Sequence, residues 1–181
     1  MKSTNSGSLN EIPDCTIEIP SRKKGTHTIR MNNLPDISDN KTAVYNNEGI
    51  IGRSFPLYTY SHSADRSIGI QIHFFIVNKG DGQRNLEDLR WLQSAVYPRK
   101  GKGGLPYLPP PVCQIRCGDL LATKGEPICA ALQSYSVRFP TEVAWEEETY
   151  CPYRFDVDTQ WLTVYTSSDL PYQNRIINLG R

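Results

Sequence analysis

Ser67-Ile68-Gly69-Ile70-Gln71-Ile72-His73-Phe74-Phe75-Ile76-Val77 carries a large apolar side chain at every second position from Ile68 to Ile76. The residues between them, Ser67, Gly69, Gln71 and His73, are polar or small, with Phe75 the one exception. Side chains of a strand alternate between its two faces, so a period of two predicts a β-strand with one apolar and one mostly polar face. Asn78-Lys79-Gly80-Asp81-Gly82 breaks the pattern.

Downstream the period changes. Leu89, Leu92 and Val96 recur at three- and four-residue spacing, which predicts a helix over Leu86–Tyr97 with one apolar face. Asn85 is its expected cap, Glu87 and Asp88 suit the positive end of its dipole, and Pro98 ends it. The basic RKGKGG stretch then reads as a loop, and the three prolines of Leu105–Pro111 favour an extended path. Beyond it the chain reads as a meander. Val112–Cys117 and Leu120–Ala122 flank a Gly118-Asp119 turn. Ile128–Phe139 is a long strand with Gln133, Tyr135, Val137 and Phe139 on one face. Tyr153–Tyr165 is another, with Tyr153, Phe155, Val157, Trp161 and Tyr165 in phase. Leu162 and Val164 take the opposite phase, so its second half is expected to be covered on both faces.

Upstream the signals are shorter. CTIEI, HTIRM and TAVYN alternate with polar or proline-containing connections, so residues 1–50 read either as an extended N-terminal arm or as short strands. Residues 51–181 read as one β domain with a helix at about 86–97. The fold class is mainly β with one helix, and no linker or internal repeat divides the 181 residues.

Composition narrows the function classes. Lys and Arg total 20 against 19 Asp and Glu, a net charge of +1, which gives no electrostatic footprint for nucleic acid and no polybasic membrane anchor. No stretch reaches the ~18 apolar residues of a membrane helix, and the polar N-terminus lacks the apolar core of a secretory signal. Five scattered cysteines (Cys15, Cys113, Cys117, Cys129, Cys151) argue against a disulfide scaffold and for synthesis in a reducing cytoplasm.

No catalytic, metal or cofactor site is expected. On a strand, Cys113 and Cys117 lie roughly 13 Å apart on one face, too far for a shared zinc or for a disulfide, so both read as buried apolar side chains. His27, His62 and His73 stand in no motif, and His73 falls on the polar phase of the opening strand, where a surface or interface histidine is expected. Ser61 beside His62 is a sequence neighbour rather than a triad. Gly101-Lys102-Gly103-Gly104 lacks the spacing of a phosphate loop. Glu146-Glu147-Glu148, with Glu142, forms an acidic stretch that reads as a solvated loop or as a surface facing something negative.

The order of these elements carries a resemblance. Phe55-Pro56-Leu57, the alternating strand, the helix into Pro98, Pro-Pro-Pro-Val, Cys117-Gly118-Asp119, QSYSVRFPTEVAW and YRFDVDTQWLTVYTSSDLP follow one another over Phe55–Pro171, about two thirds of the chain. This series resembles the tail tube initiator and hub-to-tube adaptor proteins of contractile phage baseplates. The resemblance implies a tail-tube-like β-sandwich or barrel that forms a ring, as a homohexamer, joining the spike-bearing hub to the tail tube protein. It also implies a virion protein made in the host cytoplasm, with DNA passing through the ring without specific binding. Glu142, Glu146, Glu147 and Glu148 would then face the channel, and Arg90 and Trp91 would be available for subunit contacts. Two other readings remain: the tube subunit itself or another baseplate component, and a small-ligand-binding β-sandwich or enzyme.

Overall fold

A computed structural model describes residues 15–21, 25–100, 107–118, 120–121 and 127–164. Six strands precede the helix: β1 (Cys15–Ser21), β2 (Gly25–Arg30), β3 (Asp36–Asn40), β4 (Ala43–Glu48), β5 (Leu57–Ser63) and β6 (Ser67–Phe75). The helix is α1 (Asp81–Ser94), followed by β7 (Arg99–Lys100), β8 (Tyr107–Leu108), β9 (Val112–Cys117), β10 (Ile128–Arg138) and β11 (Arg154–Thr163). Seven strands form one sheet in the order β2-β1-β9-β10-β11-β6-β3, and β4–β5 and β7–β8 are separate pairs. Every pairing is antiparallel.

The opening alternation is realised as expected. Ile68, Ile70, Ile72, Phe74 and Ile76 are all buried. Across β11 they meet Phe155, Val157 and Trp161, and the same face continues through Leu132, Ala130, Ile128, Ile115, Ile17 and Ile29. The opposite face is largely polar: Gln71 and His73 on β6, Asp156, Asp158 and Gln160 on β11, Ser134 and Ser136 on β10. One apolar face and one wet face is the usual economy of an antiparallel sheet.

The expected barrel is not closed. β2 and β3 are the two ends of the sheet order, and neither pairs with the other. The sheet is nonetheless curled. Asn85 Nδ2 donates to the Phe75 carbonyl on β6 at 2.9 Å, while Asp88, one turn later, meets His27 on β2 at 2.6 Å. In a flat sheet these strands, five spacings apart, would be separated by roughly 24 Å, against a helical rise of about 5 Å per turn. Only a strongly coiled sheet brings both to one helix.

The helix begins five residues before its expected start. Gly80 takes φ 100, and Asp81 Oδ2 accepts the backbone N–H groups of Val77 (3.1 Å) and Asn78 (2.8 Å). That turn starts the helix at Asp81 and leaves Asn85 one turn inside, where it serves the sheet instead of capping. The helix stops at Ser94, with Ala95 as its C-cap, four residues short of Pro98. The proline restricts only the residue before it, Tyr97. Leu89, Leu92 and Ala95 are buried, with Val96 only partly so.

Three strand expectations also change. On β10 the register shifts between Leu132 and Ser134, so Ile128, Ala130 and Leu132 point inward before it and Tyr135 and Val137 after it. Gln133 marks the bulge and stays exposed. On β11 the second half is not covered on both faces, because Val164 is exposed and Leu162 sits on the open polar face. Leu120 and Leu121 form a turn, with the Leu120 N–H closing on the Cys117 carbonyl at 3.1 Å. Asp119, Ala122 and Tyr165 lie outside the described residues.

Upstream, residues 1–14 lie outside the described residues. From Cys15 onward the chain forms strands, with β1 seated between β2 and β9 inside the sheet. The expected division at residue 50 falls in the turn between β4 and β5, so both segments share one hairpin.

Candidate assembly surface

The β4–β5 hairpin is an outgrowth of the β3–β6 ladder. β3 pairs with β6 up to Asn40 and Ser67, the Ala64 N–H continues the ladder to the Thr42 carbonyl at 2.8 Å, and pairing resumes at Ala43 and Ser63. β11 pairs with β6 as far as Ser67, with a last bond from the Thr163 N–H to the Arg66 carbonyl at 3.2 Å. Beyond that point the two strands run on without a third among the described residues. Six residues of strand project roughly 20 Å. At the end, the Arg53 N–H bonds the Ile50 carbonyl at 3.2 Å. Gly52 at φ 92 supplies the left-handed conformation that the third position of this turn requires.

A free ribbon of this kind is expected to be polar. This one is not. Ile51 at the turn is 104% exposed and Phe55 69%, with Ile50 and Leu57 also exposed. Tyr45, Tyr58 and Tyr60 share one face of the ribbon, where the Tyr45 and Tyr60 rings meet edge to face at 5.8 Å. Apolar surface gathered on a projection marks a contact site more than scattered exposed side chains do. The signal was in the sequence, in GIIGRSFPLYTY, but it shows only once no strand among the described residues covers the ribbon.

The sequence-expected contact residues are placed differently from one another. Arg90 is exposed on the helix. Trp91 stacks on His27 with ring centroids 4.9 Å apart and planes 8° apart, so it ties the helix to β2. The acidic stretch sits in the connection between β10 and β11 and is partly neutralised. Glu148 pairs with Lys79 at 2.8 Å, and Glu146 accepts the Thr149 hydroxyl and lies against Gly82 in the first turn of α1, where a carboxylate suits the helix dipole. Glu142, Glu147 and Glu148 are exposed and Glu146 is half-buried.

Histidines and cysteines are likewise engaged. His73 is drawn down between carboxylates on the polar face, its Nδ1 2.6 Å from Asp156 and its Nε2 3.8 Å from Asp36. Beside it, Gly69 leaves a shallow groove bounded by Asp36, Ser38, Gln71, Asp158 and Gln160. Ser61 Oγ and His62 Nδ1 lie 3.1 Å apart on the exposed ribbon. Cys113 and Cys117 are buried on β9, and burial pushes the Cys113 thiol up to about 11. Among the described residues no group of three His, Cys, Asp or Glu could hold a metal ion, and no helix is long and apolar enough to cross a membrane.

Asp88 gives a pH prediction. Burial raises its carboxyl above the ordinary carboxylate value, against the opposing pull of His27. The unfolded chain therefore releases this proton at lower pH than the folded one, so stability is lost as pH rises through the folded value. Asp88→Asn removes the titration. Urea midpoints measured as pH rises from the ordinary carboxylate range should shift in favour of the variant; a constant difference would refute the assignment.

No protein-family model matches the chain, and no curated protein sequence matches it either.

Proposed function

We propose that this chain is a structural protein of a contractile phage tail, forming a ring in the baseplate between the central hub and the tail tube. The apolar β4–β5 ribbon carries the reading. It exposes Ile50, Ile51, Phe55, Leu57 and three tyrosines on a projection that the rest of the described fold leaves uncovered. The two end strands of the described sheet, β2 and β3, add to it, because a ring of subunits satisfies edges that a monomer must leave open. The order of motifs from Phe55 to Pro171 supplies the family resemblance, and the coiled, open sheet accords with a subunit that completes a barrel with its neighbours.

Negative-stain microscopy and mass measurement of the purified chain, alone and with its hub and tube proteins, test the proposal. A single closed ring, alone or on the hub, supports it; long cylinders would assign the chain to the tube itself. A chain that stays monomeric with both partners present would overturn the assembly reading.

The channel-facing role proposed for the acidic stretch rests on Glu142 and Glu147, since Glu146 and Glu148 have partners within the fold. Reversing both to lysine should slow DNA ejection from assembled particles. Unchanged ejection would remove the stretch from the channel wall.

A further inference from the structure

All the described cysteines are free, and two of them face each other. Cys15 opens β1, Cys117 closes β9, and they are direct partners in the antiparallel register. The other side of β1 shows which kind of pair they form. The Met31 N–H donates to the Cys15 carbonyl at 3.1 Å, so the backbone groups of Cys15 point toward β2 and away from β9. Cys15 and Cys117 are therefore a non-hydrogen-bonded pair, in which Cα atoms approach to about 4.5 Å and side chains lie closest. That lies within the Cα separation of about 4.4–6.8 Å that a disulfide needs. Both side chains are turned into the core, 3% and 2% exposed. Cys113, on the same strand as Cys117, faces Ala130.

We propose that Cys15 and Cys117 form an oxidation site, at which a hydroperoxide converts the two thiols into a disulfide that staples β1 to β9. One thiolate attacks the peroxide, forming an S–O bond as the O–O bond breaks, and the displaced oxygen leaves as an alcohol or as water. The sulfur of the second cysteine then attacks the sulfenic acid. The S–S bond forms, and hydroxide departs with the second thiol's proton as water. Two electrons pass from the sulfurs to the peroxide. Burial, reinforced by the neighbouring Cys15 thiol, holds the Cys117 thiol well above the ordinary thiol range. The closed sheet therefore reacts slowly, and oxidation proceeds through opening of the ladder end where the pair sits. The bond joins positions about a hundred residues apart, a long loop whose closure constrains the unfolded chain. None of this depends on the assembly reading.

The test uses the full chain treated with hydrogen peroxide at neutral pH, digested without reduction and examined by mass spectrometry. The expected product is a peptide linking Cys15 to Cys117. Intact mass should fall by about 2 Da for the two hydrogens removed, and Tm should rise by roughly 5–15 °C, both reversed by dithiothreitol. Cys117→Ser should abolish the link, whereas Cys113→Ser should preserve it. The wild-type digest decides the matter even if a variant fails to fold. Cys15 and Cys117 remaining unlinked while Cys129 oxidises, or Cys15 linked to a different cysteine, would overturn the proposal.

Discussion

Replacing Trp161 with alanine is expected to destabilise the protein by about 3–5 kcal/mol, the range for removing a buried tryptophan from a packed core. Trp161 is fully buried on β11, with Leu132 of β10 on one side and Ile68 of β6 on the other. Its indole N–H donates to Thr159 Oγ1 at 2.8 Å, and that hydroxyl donates to the Ile70 carbonyl at 2.8 Å. Alanine leaves a void between three central strands and takes the donor from a buried hydroxyl. Trp161→Phe separates the two effects. It keeps most of the volume and loses the hydrogen bond, so it should cost about 1–2 kcal/mol. Urea unfolding followed by circular dichroism reads both through the midpoint. A loss under about 1 kcal/mol for alanine would mean that Trp161 is not part of a close-packed core.

Ile51→Asp combined with Phe55→Asp should abolish ring assembly and leave the monomer folded. Ile51 and Phe55 are among the most exposed large apolar side chains of the described fold, so exchanging them changes folding stability by no more than about 0.5 kcal/mol each. Buried against a neighbour, each would be an anchor worth about 2 kcal/mol or more, roughly a thirtyfold weakening apiece when replaced by a charge. Ring closure repeats the contact at every interface, which multiplies the effect. Sedimentation and electron microscopy read assembly, and thermal melting reads the fold. Rings that form undiminished from a doubly substituted chain would rule out the ribbon as the assembly contact. Loss of rings with an unchanged melt is the result that the proposed function requires.

Local pattern determined much of this fold. The alternation of Ile68 to Ile76 determined a half-buried strand, because burial on one face requires a period of two and only one register satisfies it. The aromatic phase of Phe155, Val157 and Trp161 determined β11 for the same reason. The helix was fixed in kind by Leu89 and Leu92, but its start was not. Gly80 and Asp81 form a local turn that outweighs the cap expected at Asn85, whose side chain is claimed by the Phe75 carbonyl.

Other features belong to the tertiary structure. The bulge at Gln133 swaps the inward phase within β10, so no single periodicity describes that strand. Cys15 and Cys117 become neighbours because β1 inserts beside β9, a pairing between distant segments that no local spacing encodes. The ribbon is the sharpest case. Residues 43–63 carry enough apolar and aromatic side chains to resemble core strands, and the sequence alone cannot distinguish them from such strands. They stay exposed because the last β11 bond reaches only the Arg66 carbonyl, and no further strand of the described sheet reaches them. Side-chain order determined which face of β6 and β11 turns inward. Which strands stand beside one another, a property of the assembled sheet, decided which of the described side chains were left outside.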